Sequence, residues 1–362
     1  MFLGGFIELP TAIKPEDLVF HFLNVGFGDN ILVEFPVDNA GKRSYGLVDC
    51  RNSKKTLKYL DKLMTIRPGK CELNFICATH PHYDHISGIN AFLQSEKYQV
   101  KEFWDSGFRH KSQTYIRILQ SLLLQGIQFN RLSSGMERYF GKVQITTLAP
   151  SIRLRNRYAT YGVDMNNASI VLRFEHHAED IITMKSKEFE GNASLEAERE
   201  AGRSVVILAG DAEYDSWSYM TEEFPRLETA VENKPLIKKM VNCLACSVLK
   251  VAHHGSMHSA PLDVYEKMHP EIAIVSTKQE EKTKNIYGLV LTRGLFPHSL
   301  AVTALEECGS QILTTDGCYE AVKTGSPKKP GSIVVVVSPG GKPRLKKLGD
   351  TSEEIPEVPK EV

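Results

Sequence analysis

Residues 78–88 read ATHPHYDHISG, and the reading of this stretch decides the fold. Three histidines, His80, His82 and His85, and one carboxylate, Asp84, fall within six positions, directly after the apolar run LNFICA at 73–78. An extended segment points residues i and i+2 the same way, so His80 and His82 can reach one ion. Asp84 and His85 follow where the chain turns toward a helix expected to begin near Ile86, which aims them at a second position close by. A polar loop whose histidines cluster by chance is the bland alternative. So many ligand-type side chains immediately after a buried strand argue against it, and the spacing predicts two metal positions.

A binuclear site needs further donors, one of them bridging, from the ends of other strands. SVVILAGDAE at 204–213 ends an apolar run in Gly210, Asp211 and Glu213. SVLKVAHHGSMHS at 247–259 ends another in His253, His254, Gly255 and Ser256. Either alone is weak, because Gly-Asp after a strand is often a turn and paired histidines are often core or surface. Together with 78–88, in this order, they are strong. Asp49, at the end of YGLVD (45–49), either orients a histidine from behind or closes the strand turn.

Around these motifs lie many short apolar runs bounded by turn residues, among them LVFHFLNV, NILVEFP, VQITTLAP, SIVLRFE, IAIVST, QILTTD and SIVVVVS. Several are apolar on both faces, as strands covered by helices must be. Helical stretches alternate with them: KKTLKYLDKLM, ISGINAFLQSE, TYIRILQSLLLQGI, EYDSWSYMTEEF, PLDVYEKM and LAVTALEECG. The class is α/β, with helices on the outer faces of mixed sheets. The segment 184–203 is charged and reads as an exposed loop or short surface helix. We expect one domain over 1–345 and an acidic, proline-bearing, disordered tail over 346–362.

The 362 residues are 42% apolar, and 44 basic side chains balance 44 acidic ones, so overall charge advertises neither nucleic acid nor a membrane surface. No signal-peptide pattern or bilayer-length apolar run occurs, and we expect a cytoplasmic chain with no membrane association. Cys50, Cys71, Cys77, Cys243, Cys246, Cys308 and Cys318 lie mostly in apolar segments and read as buried free thiols. Cys243 and Cys246 form one Cys-x-x-Cys without a second pair at zinc-ribbon spacing.

THPHYDH (79–85), LAGDAE (208–213) and LKVAHHGS (249–256) resemble the successive metal-site motifs of the metallo-β-lactamase superfamily, in the branch typified by the soluble domain of the bacterial competence protein ComEC. FLNVGFGDNILVEFP (22–36) is similar to that branch's first hairpin, and NNASIVLRF (166–174) and TTDGC (314–318) also match. The resemblance covers roughly residues 18–340 and implies an αββα sandwich of two mixed β-sheets flanked by helices, with metals at one edge between the sheets. It implies His80 and His82 on the first metal, Asp84 and His85 on the second, Asp211 bridging, and His254 completing the second. Asp84 and His253 would then carry catalytic roles, with His253 either behind a metal ligand or beside the substrate.

The resemblance has departures. A third histidine for the first metal, common in the superfamily, is replaced by Asn166, Asn167 and Ser169; His176 and His177 lie too far along the strand to substitute. The two asparagines are then candidates for binding substrate or water. Asp29 is commonly near the site, and Asn30 stands where the branch often has serine. His298 corresponds only loosely to a histidine-proline element.

Two divalent ions would follow, Zn²⁺ first and Mn²⁺ compatible with the oxygen ligands. Water held between them has its pKa lowered towards about 7, giving a bridging hydroxide at neutral pH. The implied activity is phosphodiester hydrolysis, most simply by a nuclease with nucleic acid as substrate and protein partners in a multi-subunit system such as a phage-defence complex. Two alternatives stand beside it: a small-molecule phosphodiesterase or esterase of the same fold, and an interaction subunit whose activity waits for a partner. A basic groove near Lys250, Lys278, Lys282 and Lys284 would favour the nuclease.

Overall fold

The computed structural model describes residues 13–66, 72–154, 164–178, 204–224, 244–278, 296–326 and 329–348, with the backbone of short strands at 226–230, 237–241, 283–284 and 290–291. Two large mixed sheets dominate. The first has eight strands in the spatial order Arg344–Lys347, Ile333–Val337, Leu18–Phe22, Asn30–Glu34, Tyr45–Cys50, Glu72–Ala78, Gln99–Asp105 and Gln128–Arg131. The second has seven, in the order Gln311–Thr314, Ile272–Val275, Val248–Lys250, Ser204–Leu208, Val171–His176, Val143–Ala149 and Glu137–Phe140. In the first sheet pairing is antiparallel up to Tyr45–Cys50 and parallel from there to Gln128–Arg131. The second is antiparallel from Glu137–Phe140 to Ser204–Leu208 and parallel beyond it.

The apolar runs build this because a strand alternates its side chains between faces. Leu18, Phe20 and Phe22 point between the sheets, while Val19 points outward. Ile333, Val335 and Val337 likewise face inward, and Val334 and Val336 outward. Across the inner layer the rings of Phe20 and Phe174 meet edge to face at 5.1 Å. Helices cover both outer faces. Leu60, Leu63, Phe92, Ile118 and Leu122 lie against the first sheet, and Trp217, Met220, Val264, Tyr265 and Leu305 against the second. Each such side chain, fully buried, contributes about 1.5–3 kcal/mol of transfer free energy. The result is the expected αββα sandwich.

Three differences from the sequence reading have local causes. The helix expected near Ile86 begins at Tyr83 and spans Tyr83–Ile86, so Asp84 and His85 sit in its single turn. Gly88 then lets the chain pass the end of the third strand, because a Cβ there would stand 2.7 Å from the Cys50 carbonyl oxygen and the Ser53 nitrogen. Gln99–Asp105, Gln128–Arg131, Glu137–Phe140 and Arg344–Lys347 pair as strands although polar residues interrupt them. The last of these corrects the tail boundary: Lys346 and Lys347 pair with the strand Ile333–Val337, and Leu348 is buried.

The expected loop at 184–203, the tail from 349 onward, Cys71, Cys243 and Lys282 lie outside the described residues, as does the side chain of Lys284. Cys50, Cys77 and Cys246 are buried free thiols, as expected; Cys308 and Cys318 are free and half-buried.

Candidate metal centre

The parallel strands Glu72–Ala78, Ser204–Leu208 and Val248–Lys250 all end at one edge, and the segments just beyond their carboxyl ends converge there, where crevices of α/β sheets form. Convergence needs unusual backbone. Gly210 (φ 52°) sits where its Cβ would meet Ser169 Cβ, Thr79 Cβ and the Ile170 oxygen, each at 3.2 Å. His253 (φ 44°) and His254 (φ 53°) are both left-handed, as is Asp49 (φ 56°). Such conformations cost on the order of 1–3 kcal/mol each and persist where surrounding contacts over-determine them. Here His253 N donates to the Gly210 oxygen at 3.0 Å, tying the two loops together.

Four donors form the tightest cluster. The ligand atoms of Asp84, His85, Asp211 and His254 all lie within 4.8 Å of one another. His85 Nε2 is 3.1 Å from Asp211 Oδ1, and His254 Nε2 is 3.4 Å from Asp84 Oδ2 and 3.9 Å from Asp211 Oδ1. Asp211 turns its other oxygen elsewhere: Oδ2 is 3.7 Å from His80 Nε2. His82 packs edge-on against His80, ring centroids 4.6 Å apart. The six expected ligands are therefore gathered at one place, with Asp211 between two sets.

The second nitrogen of each buried histidine is already held, which fixes the tautomer and aims Nε2 at the cluster. His85 Nδ1 donates to Asp49 Oδ2 at 2.6 Å, His254 Nδ1 to the Ser276 oxygen at 2.8 Å, and His80 Nδ1 contacts Thr79 Oγ1 at 3.2 Å. Asp49 in turn accepts from Thr79 N at 2.8 Å and Thr79 Oγ1 at 2.7 Å. Of the two readings left open for Asp49, the geometry gives the orienting one. The inward atoms His80 Nε2, His85 Nε2, His254 Nε2 and Asp211 Oδ1 are buried without a hydrogen-bond partner. Converging orphaned imidazole and carboxylate donors are what a divalent cation takes up, so the residues fit a metal.

The electrostatics show how tightly the donors are coupled. Burial opposes charge on Asp211, but His85, His254 and His80 outweigh it and hold the carboxyl well below its usual range. Burial likewise opposes charge on His85, yet Asp211 and Asp49 keep its pKa well above the ordinary value. For His80 burial and the neighbouring His85 act together and push the imidazole far down, into the neutral form a metal needs. The cluster is a strongly coupled acid–base set concentrated in one crevice.

Four layers in this strand order, with donors in the order His-x-His-x-Asp-His, Asp and His around one shared aspartate, decide the assignment. The chain has the metallo-β-lactamase fold. A scan against models of known families finds no match. The chain is 21% identical over 305 residues to ComE operon protein 3 of Bacillus subtilis (strain 168), covering 81% of this chain and 31% of that protein. It is 32% identical over 110 residues to Ribonuclease Z of Limosilactobacillus fermentum, 29% of this chain and 34% of that one. The chain thus spans about a third of the length of the curated relatives it matches. Among solved structures, CmlA, a diiron β-hydroxylase from Streptomyces venezuelae, aligns with a TM-score of 0.41 at 9% identity, over 92% of this chain and 55% of that one. Among the described residues no helix is long and apolar enough to cross a membrane.

The remaining candidates of this metallo-β-lactamase-fold site are placed as follows. His253 Nδ1 lies 2.7 Å from Glu213 Oε1, and Glu213 also accepts from Asn166 Nδ2 at 3.0 Å. Asn167 Oδ1 accepts from Ser216 N at 3.0 Å, in the first turn of the helix Tyr214–Glu223. Ser169 Oγ accepts from Asp211 N at 3.2 Å. His176 Nδ1 donates to the Val337 oxygen at 3.1 Å, and His177 faces Glu175 at 3.3 Å; neither joins the donor cluster. His298 Nδ1 accepts from Leu300 N at 3.2 Å and caps the helix Ser299–Glu307.

Asp29 is near the site, its Oδ2 3.9 Å from His85 Nδ1. Its partner was not foreseen. Lys250, expected as part of a surface charge, is fully buried and gives Nζ to Asp29 Oδ2 at 2.8 Å, an ion pair between the two sheets. Phe27 and Phe296 also escaped the sequence reading; Phe27 packs on His254 at 4.3 Å and on Phe296 at 5.4 Å, walling one side. His110, 6.3 Å from His82 between ring centroids, lies on the other. A lone histidine or phenylalanine carries no spacing signal by which to find it.

Proposed function

We propose that this chain is a binuclear metal-dependent hydrolase of phosphodiesters, acting as a nuclease. The observation that carries the reading is the division of Asp211: one oxygen turned to His85 and His254, the other to His80. His80, His82 and Asp211 would hold one ion, and Asp84, His85, His254 and Asp211 the other. When bound, two divalent ions, Zn²⁺ or Mn²⁺, supply Lewis-acid charge for a phosphoryl group and lower the pKa of water towards about 7.

The chain's own residues do the rest. Asp49, Thr79 and the Ser276 carbonyl keep the imidazoles oriented, sparing reorganisation during reaction. His253, anchored through Nδ1 by Glu213, leaves Nε2 to carry a proton to the departing alkoxide. Burial works against a charge on His253, but the Glu213 hydrogen bond and the nearby Asp211 outweigh it and raise the imidazole pKa, which suits an acid. The local likeness to a protein named Ribonuclease Z supports a phosphodiester substrate.

The test is cleavage of plasmid, single-stranded DNA and bis(p-nitrophenyl) phosphate by purified protein loaded with Zn²⁺ or Mn²⁺, beside Asp84→Ala with its fold checked by circular dichroism. Loss of all three cleavages in the variant is expected. Nucleic-acid cleavage that survives in folded Asp84→Ala sinks the assignment, and turnover of the small ester alone moves the substrate to small phosphodiesters.

A further inference from the structure

Beside the metal centre, past the His82–His110 contact, a groove of about 520 Å³ runs along the helix Gln113–Gln125 to the sheet-edge strand Gln128–Arg131. That volume lies within the roughly 300–1,000 Å³ of ligand sites. Its walls are apolar, from Leu119, Leu122 and Ile127, and its rim is cationic: Arg109, Lys111 and Arg131 are all exposed, with His110 half-buried among them. Asp105 is the one carboxylate in the lining. It is buried, and it is occupied by Tyr115 Oη at 3.1 Å and Gly107 N at 2.6 Å. Phe129 presents an exposed ring, steadied by Phe103, with ring centroids 5.9 Å apart and 26° between the ring planes.

We infer that this groove is the extended subsite for single-stranded nucleic acid, leading a strand past His110 and His82 to the metals. This rests on the phosphodiesterase reading and names the polymer that the site would take. Two features choose the occupant. The exposed positive rim complements a polyanion, and a backed aromatic ring beside it offers a stacking surface that accepts any base, the combination by which proteins hold single strands. Arg109, Lys111 and Arg131 contact phosphates; Phe129 stacks a base. His110 in the groove lining contacts His82, ring centroids 6.3 Å apart, so a strand lying in the groove would reach the donor cluster at that end.

The experiment measures binding of a fluorescein-labelled, cleavage-resistant phosphorothioate 12-mer to metal-loaded protein by anisotropy over a range of salt, for wild type, Arg109→Gln/Arg131→Gln and Phe129→Ala. All three positions are exposed, and thermal melts unchanged from wild type serve as the control for folding. The double variant is expected to flatten the log Kd against log salt slope by about 1.4, roughly 0.7 for each phosphate contact on a single strand. Phe129→Ala is expected to weaken the 12-mer roughly 5- to 100-fold and an abasic 12-mer much less. An unchanged salt slope, or equal losses on normal and abasic strands, overturns the inference, as does a wild type that binds no 12-mer. Turnover of bis(p-nitrophenyl) phosphate is followed in parallel. Turnover without 12-mer binding removes the groove alone, whereas groove-dependent binding without any turnover removes the hydrolase reading and leaves the groove standing.

Discussion

The two donor sets that meet at Asp211 are unequal. On one side Asp84, His85 and His254 close with Asp211 into a group whose ligand atoms lie within 4.8 Å, backed by Asp49 and the Ser276 carbonyl. On the other, His80 approaches Asp211 at 3.7 Å and His82 stands beside it, while Asn166 bonds to Glu213. One position is pre-assembled and the other leaves room. The difference teaches that two donor sets sharing one carboxylate need not be equivalent: the set closed around Asp84, His85 and His254 would hold an ion more firmly than the set of His80 and His82.

Breaking the shared ligand gives the largest effect. Asp211→Ala is expected to release both ions, with metal content after dialysis falling towards none by mass spectrometry. Phosphodiester turnover should fall by more than the roughly 10- to 100-fold typical of losing an outer partner. If one ion stays tightly bound, the two sets do not depend on Asp211 as a common ligand.

Next, His254→Ala and His82→Ala separate the sets. Titration of metal-free protein against a chelator is expected to show two affinity steps in wild type. His254→Ala should lose the tighter step and His82→Ala the weaker. Loss of the same step in both variants would merge the two positions into one.

A smaller loss is expected from Asp49→Asn, which keeps a hydrogen bond to His85 but removes the charge behind it. Affinity at the tighter position should drop about 10- to 100-fold, and the weaker step should move little. Equal movement of both steps would mean that Asp49 acts on the centre as a whole.

The last comparison sets the site against a histidine outside it, where the effect is on stability rather than on metal binding. Burial lowers the His176 pKa to about 4, the hydrogen bond to Val337 only partly opposing it. In the unfolded chain the value is about 6.5, so below that pH the unfolded state binds the extra proton. A depressed histidine therefore costs stability as the pH falls from about 6.5 to 4, up to about 3 kcal/mol, and costs nothing above. Urea unfolding at pH 7.5 and 5, with metal and with chelator, should show this loss in both conditions, reduced in His176→Gln. A loss seen only with metal would assign the titration to the metal centre instead.

Much of this was legible in the sequence. His80, His82, Asp84, His85, Asp211 and the His253–His254 pair are legible because donors stand just after apolar runs, and strand ends are where a sheet delivers side chains to a crevice; the choice of His254 within the pair rests on the family resemblance. What misled was equally local. Ile86 looked like the start of a helix because its apolar pattern begins there, but Tyr83 already turns. Gln99–Asp105 was missed because its outer residues are polar and exposed, so no apolar run announces it. Lys250 looked like a surface lysine because a lysine without a visible partner is expected in water.

By itself, then, the sequence determined the apolar strands, most of their covering helices and the chemistry of the donors, since periodicity and side-chain type are properties of neighbouring residues. Only the tertiary structure decided which atoms face one another: the division of Asp211 between two donor sets, the Asp49 carboxylate behind His85, the groove beyond His110, and the pairing of Lys250 with Asp29 across 221 positions. The physical reason is that these are interactions between residues far apart along the chain. Their strength depends on distance and burial, which exist only once both sheets have packed.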